Sequence, residues 1–567
     1  MHKARKEARM AEVRLASAQS ESGESKWLEP ERRMRRSRRL AFVSVSLVLV
    51  LFAGIRWRLR EMPLERDEGE YAYAGQLILQ GIPPYQLAYN MKLPGTYVAY
   101  AGIMQAFGES LAGIHVGLLL VNGCATALLF FLGRRLYGNL AGAIAAASYA
   151  LLSTSQAVQG LEGHASHFVV LAALAGLLLL LAARESGSWG IYFLAGLCMG
   201  LAFLMKQPGA VFILFGLQEI VWRGRQRSTR RKRLVARICA YAAGAAIPYA
   251  VTCLALYRAG VFGRFWFWTV SYASQYSTST GFTQGMNYLR DVEPRLFFGA
   301  PVVWCFAAMG ILAEVYERGK GAAMSFILSL LVWSFVGASA GLYYRPHYFI
   351  LLLPPLCLLA GKAVKWCTEQ FHARVARQPS IARLSLVPVT LFVAGYGQSL
   401  YAQRANFFIL SPYEVIRREY GGNPFPEAME FANYIKEHAD AGAQVAVLGS
   451  EPEIYFYSRR HSATGYIYTY GLMEEQKYAS QMQREMMEEI ERAKPEYLVK
   501  VVVSTSWLRK ANSDPAILLW AEKYIGEQYR VVGVADIRMA TTYEWDEKAE
   551  GYVPRSKYSM YLYKRKS

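Results

Sequence analysis

The chain has 567 residues, of which 53% are apolar and 19% charged, with a formal net charge of +20 from 63 Lys and Arg against 43 Asp and Glu. A nucleic-acid binder could carry that balance, but here the basic residues sit in short segments beside long apolar runs, the pattern of cytoplasmic membrane loops, and no nucleic-acid partner is expected. The seven cysteines all lie in or beside the apolar runs and form no C-x-x-C pair, which excludes a zinc ribbon and a disulfide scaffold.

Residues 1–38 are polar, rich in both charge signs, and lead into the basic cluster RRMRRSRR. They read as a cytoplasmic tail. The apolar run that follows lacks a small-residue cleavage site, so it reads as a signal anchor. Apolar runs then recur at 40–56, 111–133, 139–157, 167–183, 189–205, 208–222, 235–257, 297–315, 323–341, 347–363 and 384–402. A crossing helix needs about 20 mostly apolar residues, so the shorter runs require tilt or local thinning. The expected fold is an α-helical polytopic membrane protein of about eleven spans.

Lys and Arg counts set the orientation. With the N-terminus inside, the inner segments GRRLYG, RGRQRSTRRKR, YERGKG and 362–383 are all basic, while Arg56, Arg58 and Arg60 are a local exception outside. This places residues 403–567 outside an inner (plasma) membrane. The tail 1–38, a transmembrane domain 39–402 with a first external loop at 57–110, and an external domain 403–567 are the expected divisions.

Within the first external loop, 68–80 (EGEYAYAGQLILQ) and 94–107 (PGTYVAYAGIMQAF) have helical periodicity but suit helices lying in the membrane interface. In the last 165 residues, helices at 426–439, 473–493 and 515–526 alternate with strands at 443–448, 497–503, 529–536 and 558–563, the signature of a small α/β sheet domain. No G-x-G-x-x-G follows a strand, so nothing there points to nucleotide binding.

The segment RDEGEYAYAGQLILQGIPPYQLAYNMKLPG, residues 66–95, sets Asp67, Glu68 and Glu70 at the outer face. Carboxylates opening a helix also simply favour its N-terminus. This segment resembles the first external loop of the GT-C glycosyltransferases of the protein O-mannosyltransferase and lipid A aminoarabinose transferase branch. The matching residues are Asp67-Glu68, Tyr71-Ala72, Gly81 and Lys92-Leu93-Pro94-Gly95, with weaker likeness at Lys206-Gln207-Pro208-Gly209 and YYRPHYFILLLPPL, 343–356. The resemblance implies a transferase that takes a sugar from a polyprenyl-phosphate donor and gives it to a hydroxyl on a lipid, polysaccharide or protein. It makes Asp67 the catalytic carboxylate, with Glu68 its adjacent rival, and Lys92 a residue that meets the donor phosphate. Leu93 departs from the branch's Lys-Pro-Pro. The aminoarabinose transferases carry a metal-associated Glu before that Lys, where this chain has Met91, so no metal is carried over.

Arg345 and Lys206 join Lys92 as expected phosphate-binding cations, although ionisable groups at membrane edges also snorkel. Tyr71, Glu162, His347 and Tyr348 are expected substrate contacts. His164 and His167, three apart, could ligate a divalent metal with Glu162; polar capping of a helix explains them as simply, and no metal is assigned. The aromatic stretch FGRFWFWTVSYASQY in loop 258–296 could lie in the interface or cover the site, with interfacial anchoring the default. One general base suffices for such a transfer, because a lipid phosphate leaves without a proton, and direct displacement inverts the anomeric centre. The alternative is a transporter or flippase of lipid-linked or small solutes, which would show inverted repeats and ionisable residues near the membrane midplane; neither is visible. A lipid-linked sugar polymerase or ligase would share the topology, but Asp67 directly after the first span argues against it.

Overall fold

The structure is a computed structural model that describes residues 34–226, 229–317, 323–375, 384, 386–538 and 540–566. Most of the tail 1–38 and parts of three basic inner segments (RGRQRSTRRKR, YERGKG and 362–383) lie outside the described residues. Helices occupy the place of all eleven predicted spans. They are α1 (Met34–Arg58), α4 (Leu111–Tyr137), α5 (Asn139–Leu152), α6 (Ala165–Ser186), α7 (Trp189–Met205), α8 (Ala210–Gln226), α9 (Arg231–Arg258), α11 (Pro301–Tyr316), α12 (Ala323–Ala338), α13 (Leu353–Val375) and α14 (Val387–Ala402). Between them lie α2 (Arg66–Leu79), α3 (Gly95–Phe107) and α10 (Phe282–Gly299).

The count of eleven crossings is not met by length and apolarity. Five helices pass that test among the described residues, and six if α10 and α11, bent by 101° at their junction, make one broken span. The shortfall is geometric. A helix such as α5, 14 residues long, rises only about 21 Å at 1.5 Å per residue, against a hydrocarbon core of about 30 Å.

The C-terminal region folds as a six-stranded sheet with strand order β2-β1-β3-β6-β4-β5. Its strands are β1 (Gln444–Leu448), β2 (His461–Ser462), β3 (Tyr497–Val502), β4 (Tyr529–Asp536), β5 (Thr542–Trp545) and β6 (Ser559–Arg565). β1 pairs in parallel with β2 and β3, while β6 runs antiparallel between β3 and β4. The short strands β2 and β5 carry too few residues for a visible alternation and were not expected from sequence.

Of the two first-loop helices, α2 does not lie open in an interface, whereas α3 keeps Val98 and Phe107 exposed. In α2, Arg66 and every residue from Glu68 to Leu77 are buried, and Tyr71, Tyr73 and Leu77 share one apolar core with Phe431, Val447 and Tyr455 of the sheet domain. The helix is polar on the faces that meet partners. The Arg66 guanidinium pairs with Glu451 at 2.9 Å, and the Tyr73 hydroxyl accepts from Ser462 N at 2.8 Å. A Cβ on Gly69 would fall 2.7 Å from the Glu453 Cβ, so the contact with the sheet domain closes only over glycine. The sheet domain and the first loop therefore form one unit on one side of the helical bundle.

Candidate active site

Where the bundle meets the sheet domain there is a cavity of about 710 Å³. The N-terminus of α2 opens into it. Glu65 caps that helix by accepting from Glu68 N at 3.0 Å, and Glu68 reaches back to Glu65 N at 3.4 Å, a reciprocal capping box. This turns Glu68 inward. It is fully buried, accepts from Gly163 N at 2.6 Å and faces His115 at 3.3 Å. Glu68 is not among the residues that line the cavity; its carboxylate is taken up by the cap of α2 and by Gly163. Asp67, one residue earlier, does line the cavity, with its side chain 25% exposed.

Lys92 reaches Asp67 from the other arm of the loop. Its Nζ donates to Asp67 Oδ1 at 2.7 Å and to Glu70 Oε2 at 2.6 Å, and it sits 4.6 Å from the centre of the Tyr71 ring. Burial pushes the Asp67 carboxyl up, but Lys92 together with His347 and His164 more than offsets it and holds the group well below its ordinary value. Burial works against the Lys92 charge as well, and Asp67 and Glu70 more than compensate, leaving its pKa raised. Lys92 is thus engaged by two carboxylates at the cavity wall, and Tyr71, which also lines the cavity, lies against its ammonium.

Two other cations face the cavity without a carboxylate partner among the described residues. Lys206 lies 4.1 Å from the centre of the Tyr348 ring, and Arg345 5.9 Å from that of Tyr343. Lys206 sits where α7 ends in extended backbone, just before the turn Gln207–Gly209. That turn is stitched to the first loop: Gln207 Nε2 donates to Met91 O at 2.5 Å and Thr96 Oγ1 to Met205 O at 2.9 Å. A Cβ on Gly95 would fall 2.5 Å from the Leu204 carbonyl oxygen, so the two loops approach this closely only over glycine. Burial, followed by the neighbouring cations Lys92 and Arg345 and opposed by Asp67, pushes Lys206 down to about 7.

The histidines divide differently from the sequence expectation. His164 and His347 line the cavity with their rings stacked 4.0 Å apart, and with Asp67 they bring ligand atoms within 4.8 Å of one another. His167 instead faces Asn122 at 3.3 Å, and Glu162 is buried behind the cavity wall, outside its lining. The set Glu162, His164 and His167 is therefore not assembled, and Glu162 is not placed to touch a substrate in the cavity. His164 lines the cavity, whereas Glu162 is buried outside it, in the field of Glu419, Glu68 and Arg295.

The far wall comes from residues that sequence reasoning did not select. Trp268, Tyr272 and Tyr276 belong to the aromatic loop; Tyr468, Tyr470 and Glu474 belong to the sheet domain. Trp268 stacks on Tyr89 at 5.7 Å, and the Tyr272 hydroxyl donates to Glu474 at 3.0 Å. The aromatic loop is a cavity wall, not only an anchor. The Tyr468 hydroxyl lies 2.9 Å from Arg66 O and 3.3 Å from Asp67 Oδ1. An aromatic run gives no sign of which ring will face a cavity, and the sheet-domain tyrosines carry no motif.

A family model described as dolichyl-phosphate-mannose-protein mannosyltransferase matches residues 93–253. The crystal structure of ArnT from Cupriavidus metallidurans bound to undecaprenyl phosphate superposes with a TM-score of 0.56 at 16% identity, covering 92% of this chain and 97% of that one. The chain has the GT-C fold. It resembles the protein mannosyltransferase and aminoarabinose transferase branch of GT-C proteins. Two curated relatives, the undecaprenyl phosphate-alpha-4-amino-4-deoxy-L-arabinose arabinosyl transferases of Pseudomonas aeruginosa (strain UCBPP-PA14) and Pseudomonas paraeruginosa (strain DSM 24068 / PA7), are each 25% identical, over 349 and 351 residues. These matches span 59% of this chain and 61% of each relative. The transporter alternative finds no support among these GT-C relatives.

Proposed function

We propose that the chain is a membrane glycosyltransferase that moves a sugar from a polyprenyl-phosphate donor to a hydroxyl acceptor, with inversion, on the outer face of the plasma membrane. The observation that carries this reading is the pairing of Asp67 with two carboxylate-free cations in one cavity that borders an apolar groove. That groove, about 500 Å³, is lined by Ala210, Val211, Phe335, Val336 and Tyr344, and shares Gln207, Pro208 and Ala340 with the cavity. A polyprenyl phosphate needs this combination: cations for the phosphate and an apolar path for the tail. The orientation rests on the basic inner segments and on the sheet domain's packing against the first loop.

The chemistry then follows. Arg345 and Lys206 hold the donor phosphate and disperse its charge as it leaves. The acceptor hydroxyl attacks the anomeric carbon from the opposite side, the bond from that carbon to the phosphate oxygen breaks, and the hydroxyl proton passes to Asp67. Lys92, itself held by Glu70, keeps Asp67 in place and favours its ionised form. The phosphate departs with its own charge, so no second carboxylate is needed as a proton donor, unlike glycoside hydrolysis.

The test is mass spectrometry of lipid-linked sugars and glycoconjugates in a strain lacking the protein. Accumulation of one polyprenyl-phosphate sugar, with loss of that sugar from one glycoconjugate, is expected and names both substrates. Unchanged lipid-linked sugars and glycoconjugates would overturn the reading.

A further inference from the structure

A second cleft opens on the sheet domain. In the register of β3, β6 and β4, Lys500 stands opposite Tyr561, while Leu498 and Val531 stand opposite Tyr563. Side chains alternate along a strand, so Tyr561 and Tyr563 share one face of the sheet. The helix Ala516–Gln528 covers one end of that face, where its Ile517, Ala521 and Ile525 pack with Leu498 and Tyr529. Past the helix the face is open. A cleft of about 420 Å³ lies there, lined by Lys500, Tyr561 and Tyr563 from the strands, Glu522 from the helix and Tyr552 from the loop opposite.

The loop wall is fixed in place. The Asp536 carboxylate of β4 accepts from the Tyr552 hydroxyl at 3.2 Å, from Arg555 N at 3.1 Å and from Ser556 N at 2.8 Å. A wall set in advance lowers the ordering cost of a ligand. The Tyr561 and Tyr563 rings are near-parallel, 22° apart with centroids at 6.1 Å. Among the described residues, the Lys500 ammonium, the Glu522 carboxylate and the hydroxyls of Tyr561 and Tyr563 make no hydrogen bond or ion pair.

That lining selects a class of ligand. Tyrosine offers a flat apolar face with a polar tip. An ammonium only donates, a carboxylate only accepts, and a tyrosine hydroxyl does both, a set that suits a ligand rich in hydroxyls. Lys500 and Glu522 are the only charged residues of the lining, and their charges cancel, so an anion gains nothing here that it gains beside Lys206 and Arg345. A peptide strand finds no free edge, because β6 is paired on both sides, with β3 and β4. A hydrocarbon tail would leave the two charges dry.

We propose that this cleft binds a neutral saccharide chain. Lys500 stands five positions before Thr505, which lines the main cavity, and five residues span at most about 18 Å. A glycan longer than that reaches from one to the other. Resting on the transferase reading, the cleft makes the acceptor a glycan and grips it at a distance from the reacting hydroxyl. Saccharide binding itself does not depend on that reading, since it is measured without a donor.

The full chain, purified in a detergent without a sugar headgroup, is applied to immobilised oligosaccharides of β-glucan, α-mannan and galactan, with heparin and polyphosphate as anionic controls. Binding to at least one neutral oligosaccharide is expected. Tyr561→Ala and Glu522→Ala should each weaken it about tenfold. Glu522 is exposed on its helix, so its variant decides the matter if Tyr561→Ala does not fold. Glu437→Ala, exposed on the helix Phe425–His438 that packs on the other face of the sheet, should bind as the parent does. No binding to any neutral oligosaccharide, binding to the anionic polymers alone, or binding indifferent to every cleft variant that folds would overturn the site. Cleft-dependent saccharide binding in a chain with no turnover on any lipid-linked donor would remove the transferase and leave the cleft; turnover in a chain that binds no oligosaccharide would do the reverse.

Discussion

The Lys92 ammonium lies 2.7 Å from Asp67 Oδ1, and the same nitrogen is 2.6 Å from Glu70 Oε2. That double engagement makes Lys92 a support for the proposed base. In Lys92→Met the largest of the charges that offset burial is gone, so the Asp67 pKa rises from well below its ordinary value. A carboxylate acts as a base only above its pKa. The acid limb of the pH profile of kcat/KM should therefore move to higher pH, while donor affinity changes little. A variant that loses donor binding with an unmoved acid limb would return Lys92 to the phosphate.

Lys206 gives a second pH dependence with the opposite sign. Its pKa of about 7 means that the free chain loses this charge as pH rises through neutrality. A sugar phosphodiester keeps one negative charge over this range, so the titration seen is that of the protein. Donor affinity in detergent should fall as pH rises from about 6 to 9. Lys206→Arg should flatten that slope, since arginine stays charged. Lys206→Met should also flatten it, with affinity about 10- to 100-fold weaker, the loss of a charge-assisted hydrogen bond. A wild-type chain whose affinity is constant across this range would remove Lys206 from the donor site.

Asp67→Asn should cost about 10²–10⁴-fold in turnover with donor binding retained, because Asn keeps size but cannot take the hydroxyl proton. Glu68→Gln should show a different signature. Its oxygen accepts from Gly163 N inside the protein, so a lower melting temperature with near-normal activity in the surviving folded fraction is expected. Turnover lost in Glu68→Gln at unchanged thermal stability, and kept in Asp67→Asn, would move the base by one residue.

Much of this arrangement is legible in the chain itself. The apolar runs locate the helices, and the alternation after residue 425 gives the sheet domain, because both signals are local. Asp67 and Lys92 are legible through a loop pattern. The division of labour between Asp67 and Glu68 is not, since a capping box and a catalytic pair look alike in sequence; only the contact with Gly163, 95 residues away, separates them. Glu162 and His164 show the same limit, as two residues on one turn point to opposite sides of a wall. His347 meets His164 across 183 positions, and no spacing rule anticipates that. The interfacial reading of α2 failed because its polar residues face the sheet domain, and sequence gives no sign of whether water or protein satisfies them.

The sheet domain completes the site through Tyr468, and this can be tested by removing one oxygen. The hydroxyl lies 2.9 Å from the Arg66 carbonyl and 3.3 Å from Asp67 Oδ1, so it ties the sheet domain to the first turn of α2 beside the base. The ring also stands 5.5 Å from Lys92 Nζ. Tyr468→Phe keeps the ring, and with it the packing and the contact with Lys92, and deletes only the hydrogen bonds. One neutral hydrogen bond contributes about 1 kcal/mol, so the melting temperature should fall little. The single O–H proton is shared between the Arg66 carbonyl and Asp67, so Asp67 loses part of a donor that favours its charged form, and kcat should drop by several-fold, with the acid limb displaced upward in the same direction as in Lys92→Met but less far. The check is the kcat and KM of Tyr468→Phe across pH, set beside Tyr470→Phe, whose hydroxyl contacts Thr505 O at 2.8 Å instead. Equal losses in the two variants, or a change in KM alone, would show that Tyr468 only closes the wall and does not position the carboxylate.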